Sequence, residues 1–187
     1  MTVFFTGDTH FGHAGARALY RRPFPSVPDM DAAMQARWNA VIGPADEVWH
    51  LGDFAIGHAA AAMAALLERL HGRKHLVTGN NDGPATTGLA GWASVLPYAE
   101  LMLDGRGLVL CHYAFRTWRN MGRGWLNLHG HSHGRLEPLP RQVDVGVDAW
   151  DFRPMTLAQI LARPRRRAGA TEGAGRPQPA QAPGRDS

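Results

Sequence analysis

The chain has a single cysteine, Cys111, which excludes an internal disulfide and fits a reducing compartment. It has no apolar run approaching the ~18 residues of a membrane-spanning helix, so no membrane association is expected. Val3-Phe4-Phe5 runs straight into a polar cluster, so no signal peptide is expected. A cytoplasmic location is the expectation. There is no internal repeat. Positive charge is also scarcer than the net +4 suggests. Of 20 basic and 16 acidic residues, six and two fall from Arg163 onward, so residues 1–162 carry 14 of each and are neutral. The folded part therefore lacks the cationic face that tracking a polynucleotide requires, and nucleic acid is not the expected partner.

What is present is an alternation of short apolar strands and helices. Residues 3–6 read as a buried strand. Met30, Met34, Trp38, Val41 and Ile42 at helical spacing predict a helix over 27–42, with Ser26 and Asp29 capping it and Gly43-Pro44 ending it. Residues 46–51 read as a second strand, the Ala-rich stretch 59–70 as a helix, and residues 75–78 as a third strand. Residues 98–103 and 107–111 flank Asp104-Gly105-Arg106 as a β-hairpin. Leu126–His129 and residues 142–147 give two further strands, and Thr156 caps a short last helix. The expected architecture is a layered α/β sandwich of two mixed β-sheets flanked by helices, formed by residues 1–163. Residues 164–187, rich in Arg, Pro, Gly, Ala and Gln, are expected to be a disordered tail.

The chemistry sits where these strands end. Asp8-Thr9-His10, Gly52-Asp53, Gly79-Asn80, Cys111-His112 and Gly130-His131-Ser132-His133 each follow a strand-like run. Open α/β sheets gather their sites beyond such ends. Asp8 and His10, like His131 and His133, are two residues apart and point to one side of an extended backbone. The inventory Asp8, His10, Asp53, Asn80, His112, His131 and His133 is too large for one tetrahedral metal and suits two metals sharing a carboxylate. Oxygen and imidazole donors without thiolate favour divalent transition metals, with Mn²⁺ first and Fe²⁺, Zn²⁺, Co²⁺ or Ni²⁺ as alternatives.

In this order and at this spacing, Asp8-x-His10, Gly52-Asp53, Gly79-Asn80-Asn81-Asp82, His112 and Gly130-His131-Ser132-His133 resemble the calcineurin-like metallophosphoesterase superfamily. Asp8-Thr9-His10-Phe11-Gly12-His13 and Asp144-Val145-Gly146-Val147-Asp148 resemble a small bacterial group within it. The resemblance spans residues 3–160. It implies that Asp8, His10 and His133 hold one ion, that Asn80, His112 and His131 hold the other, and that Asp53 bridges them. The ions would activate water for attack on the phosphorus of a phosphate ester, a small molecule or nucleotide-like compound. One position departs from the pattern: Asn81 stands where the superfamily usually has a histidine that contacts phosphate and donates a proton. An amide can hydrogen-bond phosphate but cannot deliver a proton, so the expectation is a phosphodiesterase, with His13 as a substitute acid. The alternatives are a phosphomonoesterase or protein phosphatase, and a non-catalytic binding module on the same fold.

Arg116 and Arg119, in the Arg- and Trp-rich loop 113–126, are candidate phosphate contacts, set against a reading in which the loop's tryptophans simply pack on the sheet. Arg21-Arg22 reads as a solvated helix end. Asp144 and Asp148 read as loop-forming residues within reach of a ligand histidine. His50, His58, His71, His75 and His129 read as structural or exposed. Cys111 reads as a small buried hydrophobe.

Overall fold

The computed structural model describes residues 1–137 and 139–163; the tail expected over residues 164–187 lies outside them. The chain runs β1 (Val3–Thr6), α1 (Ala14–Leu19), α2 (Val27–Val41), β2 (Glu47–His50), α3 (Ala60–Arg69), β3 (Arg73–Val77), α4 (Pro84–Thr87) and β4 (Trp92–Leu96). It continues through β5 (Ala99–Leu103), β6 (Arg106–Leu110), β7 (Leu126–His129), β8 (Gln142–Asp144), β9 (Met155–Thr156) and α5 (Leu157–Ala162). Two mixed sheets result, ordered β4-β3-β2-β1-β9 and β5-β6-β7-β8. Strands β1 to β4 are parallel to one another and β9 is antiparallel to β1. In the second sheet the β5–β6 hairpin is antiparallel, and β6, β7 and β8 are parallel.

Consecutive residues of the central strands serve opposite layers, as the two-residue period of a strand requires. Phe4, Val48 and Leu76 face Met30, Met34 and Trp38 of α2 and Met63, Leu66 and Leu67 of α3. Their neighbours Phe5, Trp49 and Val77 face Leu108, Leu110, Leu126 and Leu128 of the second sheet. The first sheet is thus buried on both faces, which is why the adjacent pairs Phe4-Phe5, Val48-Trp49 and Leu76-Val77 are apolar without alternation.

Most expected elements are found, with shifted ends. Strand β3 starts at Arg73, and the last expected strand stops at Asp144 because Val147 begins a 3₁₀ turn. The hairpin turn is the two residues Asp104 and Gly105, both at positive φ, while Arg106 already pairs with Leu103. Thr156 forms a full capping box with Gln159. Strands β4 and β9 and helices α1 and α4 are additions.

The loop after His112 folds back toward the second sheet. Trp118 is buried, with its indole N–H donating to the Trp125 carbonyl at 2.9 Å. Gly107 leaves room for Trp125: a Cβ there would stand 2.0 Å from the indole. Buried Asn127 accepts the Phe115 amide at 3.1 Å. For Trp118 and Trp125, packing against the sheet is therefore the reading that holds. No helix among the described residues is long and apolar enough to cross a membrane.

Candidate metal centre

All five ligand-bearing segments follow the C-terminal ends of parallel strands: β1, β2 and β3 in one sheet, β6 and β7 in the other. The two sheets bring these ends to one place. An isolated bridge between Gly7 and Gly146 and a hydrogen bond from the Val147 amide to the Gly7 carbonyl at 3.0 Å tie them there. Close approach requires a residue without a Cβ. At Gly52 (φ +89°) a Cβ would lie 2.5 Å from Nδ1 of His112 and 2.6 Å from the Gly79 amide nitrogen.

The backbone here is strained. Asp8 (φ 54°), His10 (49°), Asp53 (59°), His131 (67°) and His133 (49°) all occupy the left-handed region. Each such residue costs of order 1–3 kcal/mol and persists only where its surroundings enforce it. Five of the seven expected ligands are in this class, and strained residues of this kind cluster at functional sites in general.

The side chains converge on one another. One donor atom each from Asp8, His10 and His133 lie within 4.8 Å of one another. His112 is fully buried, and its Nδ1 donates to the Leu51 carbonyl at 2.8 Å, so Nε2 carries the lone pair. That Nε2 lies 3.1 Å from Asn80 Oδ1, 3.2 Å from His131 Nδ1 and 3.6 Å from Asp53 Oδ2. Asp53 Oδ2 is also 3.5 Å from His10 Nε2, a buried nitrogen without a hydrogen-bond partner among the described residues. Proximity also groups Asp8 with Asp53 and His112. However, the His112 nitrogen 4.0 Å from Asp8 is Nδ1, already committed to Leu51. Asp53, between His10 and His112, is the better-placed shared carboxylate.

The electrostatics agree. Burial, then the charges of Asp144, Asp53 and Asp148, pushes the Asp8 carboxyl well above its ordinary value, against the His131 amide that donates to it at 2.8 Å. Burial lowers His10 to about 3, and it also lowers His131, helped by His112. Buried carboxylates and neutral imidazoles facing one another are costly until a cation sits among them. The donor set therefore fits divalent ions.

Asn81 does not point free. Its backbone N–H and Nδ2 donate to Asp53 Oδ1 and Oδ2 at 2.8 and 2.6 Å. Asp82 joins the Gly52-Asp53 and Gly79-Asn80 loops, accepting the amides of Asp53, Gly79 and Phe54 at 2.7, 2.8 and 2.9 Å. His13 Nδ1 is 3.3 Å from His10 Nδ1. Arg119 pairs with Glu100 at 2.6 Å on the rim of β5, and Arg116 is exposed.

Two groups were not legible in the sequence. Tyr113 stands over the second half of the cluster, its ring 4.8 Å from that of His131 and its hydroxyl 3.5 Å from Asn80 Oδ1. Tyr20 stacks on His133 at 3.4 Å. Arg22 corrects the solvated-end reading: its side chain is wholly buried and salt-bridged to Asp148 at 2.8 Å. Asp148 in turn accepts from His133 Nδ1 at 2.7 Å. Burial alone would raise Asp148, but its bonds to His133 and Arg22 outweigh burial and hold it below the ordinary carboxylate range. Asp144 shapes the loop, accepting from Ser132 Oγ and from the amides of Gly134 and Gly146 at 3.0, 2.8 and 2.8 Å.

Residues 1–144 match the calcineurin-like phosphoesterase superfamily domain. The gene 66 protein of Mycobacterium phage D29 is 33% identical over 185 residues, covering 82% of this chain and 92% of its own length. An uncharacterised protein of Methanocaldococcus jannaschii is 28% identical, over 85% of this chain and 89% of its own. A solved structure of a protein of unknown function from Aquifex aeolicus shares the fold with a TM-score of 0.70 at 23% identity, covering 85% of this chain and 97% of that one.

Proposed function

The chain belongs to the calcineurin-like phosphoesterase superfamily, and from that premise we propose that it hydrolyses phosphate esters at a dinuclear metal centre and prefers diesters. The observation that carries this reading is the convergence of acceptor atoms around Asp53 Oδ2, with His10 Nε2 and His112 Nε2 at 3.5 and 3.6 Å on either side. Asp8, His10 and His133 would hold one ion, Asn80, His112 and His131 the other, and Asp53 both. Mn²⁺ suits this set of oxygen and imidazole donors, as do Fe²⁺, Zn²⁺, Co²⁺ and Ni²⁺. When bound, two such ions supply positive charge to the phosphoryl oxygens and lower the pKa of a coordinated water.

The chain's own residues do the rest. The two donors of Asn81 grip both oxygens of Asp53 and fix the plane of the shared carboxylate. One amide hydrogen of Asn81 is left to meet a phosphoryl oxygen, and none of its groups can give a proton away. His13 is the nearby side chain assigned to protonate the leaving oxygen. Burial, then the charge of Arg22, lowers its pKa, so imidazolium is scarce at neutral pH. General acid catalysis is typically worth about 10²–10⁴-fold and matters most for poor leaving groups. With so little of the acid form present, diesters and activated esters are favoured over alkyl monoesters. The neutral charge of residues 1–162 favours small or nucleotide-like substrates over polynucleotides.

The test is Mn²⁺-dependent hydrolysis of bis-p-nitrophenyl phosphate against p-nitrophenyl phosphate, with Asp53→Asn as control. Faster diester cleavage, reduced at least about 100-fold in the variant, is the expected result. Monoester preference removes the diesterase assignment. Undiminished diester turnover in Asp53→Asn removes the shared-carboxylate centre itself.

A further inference from the structure

We propose that Arg22 and Asp148 are positioning residues for one half of the metal centre: they lock the backbone of Asp8-Thr9 and set the tautomer of His133, so that the ion held by Asp8, His10 and His133 depends on them and the other does not. The inference rests on the metal reading above.

One buried guanidinium joins Asp148 to the backbone of Asp8 and Thr9. Arg22 Nε and Nη2 donate to Asp148 Oδ1 and Oδ2, each at 2.8 Å. Nη1 donates to the Thr9 carbonyl at 2.7 Å and Nη2 to the Asp8 carbonyl at 2.6 Å. The backbone it grips carries two of the left-handed ligands, Asp8 and His10. Its partner Asp148 accepts from Nδ1 of the third, His133, at 2.7 Å. With that bond made, His133 keeps its proton on Nδ1 and leaves Nε2 for the pocket. The face of Tyr20, stacked on His133 at 3.4 Å, closes the same side. The second half-site is held differently. His112 is oriented by the Leu51 carbonyl at 2.8 Å, and Arg22 makes no hydrogen bond to it, to Asn80 or to His131. Lysine could not replace Arg22, because an ammonium lacks the planar fork that meets a carboxylate and two carbonyls at once.

The first experiment needs no variant. Long-range ¹H–¹⁵N correlation of the metal-free full chain reads the His133 tautomer, with protonated Nδ1 expected; an Nε2–H tautomer, or an even mixture, overturns the relay. The second is Mn²⁺ titration by calorimetry and electron paramagnetic resonance of wild type, Arg22→Met and the double variant Arg22→Met/Asp148→Leu. The double variant leaves neither charge buried alone. One ion is expected to bind with wild-type affinity and the other about 10–100-fold more weakly, as for other outer partners of metal ligands. The coupled Mn²⁺ pair spectrum then gives way to an isolated-ion pattern at low metal. Two ions bound with native affinity in either folded variant, or both weakened equally, overturns the proposal. Absence of Mn²⁺ binding by the wild type would instead refute the metal reading, and the tautomer measurement would still judge the relay.

Discussion

Replacing Asp82 with alanine removes the side chain that joins two of the ligand loops. It accepts the amides of Asp53, Gly79 and Phe54 at 2.7, 2.8 and 2.9 Å, and it is only partly exposed. Hydrogen bonds to a charged acceptor contribute about 1.5–3 kcal/mol each. Three would nominally exceed 4 kcal/mol, but they share one carboxylate, and water can reach part of the space it leaves. Partial compensation sets the expected loss at about 3–5 kcal/mol, a large share of the roughly 5–15 kcal/mol that holds a domain together. For an m value of about 2 kcal/mol/M the urea midpoint falls by roughly 2 M. Asp82→Asn, which keeps one acceptor oxygen, should fall between the variant and wild type. A midpoint shift for Asp82→Ala under about 0.5 M at unchanged m would show that the three amides find other partners and that the loops are not held by this carboxylate.

Other outcomes follow from the same structure. Asn81→His restores the superfamily's usual proton donor, so hydrolysis of p-nitrophenyl phosphate relative to its diester should rise by about 10²-fold; an unchanged ratio would dissociate Asn81 from substrate preference. His50 is buried and its pKa is lowered by burial from 6.5 to about 3. Its neutral form is the folded form, so the stability it confers is complete above pH 6.5 and is lost as pH falls toward 3. In that window His50→Gln should flatten the pH dependence of unfolding by about 1.4 kcal/mol per pH unit, one proton's worth, and an unaltered slope would contradict the buried neutral imidazole. Thr156→Ala removes a capping box and should cost about 1 kcal/mol, read from the melting temperature.

What the sequence revealed, and what it hid, divides along separation in the chain. Candidate ligands such as Asp8, Asp53 and His112 stood out because each follows a strand, and local pattern alone marks a strand end. The Ser26 and Thr156 caps were legible for the same reason: donor and acceptor lie three residues apart. Arg22 was misread because its partner Asp148 is 126 residues away. Beside Arg21 and Pro23 it carries no local mark of burial. Strand β4 (Trp-Ala-Ser-Val-Leu) has no alternation, and it becomes a strand by pairing with β3 at the sheet edge. The loop after His112 offered its arginines and tryptophans as equals. The fold separates them, packing Trp118 inward and leaving Arg116 exposed. The role given to Asn81 was set by its position in a motif. Its amide bond to Asp53 became visible only when two loops 28 residues apart met.

The central claim is that two ions share Asp53. Anomalous diffraction at the manganese edge, from crystals of the full chain grown with Mn²⁺, tests it most directly. Two peaks about 3.5–4 Å apart and flanking Asp53, one beside His10 and His133 and the other beside His112 and Asn80, are the predicted result. A single peak, or two that do not share Asp53, would contradict the account.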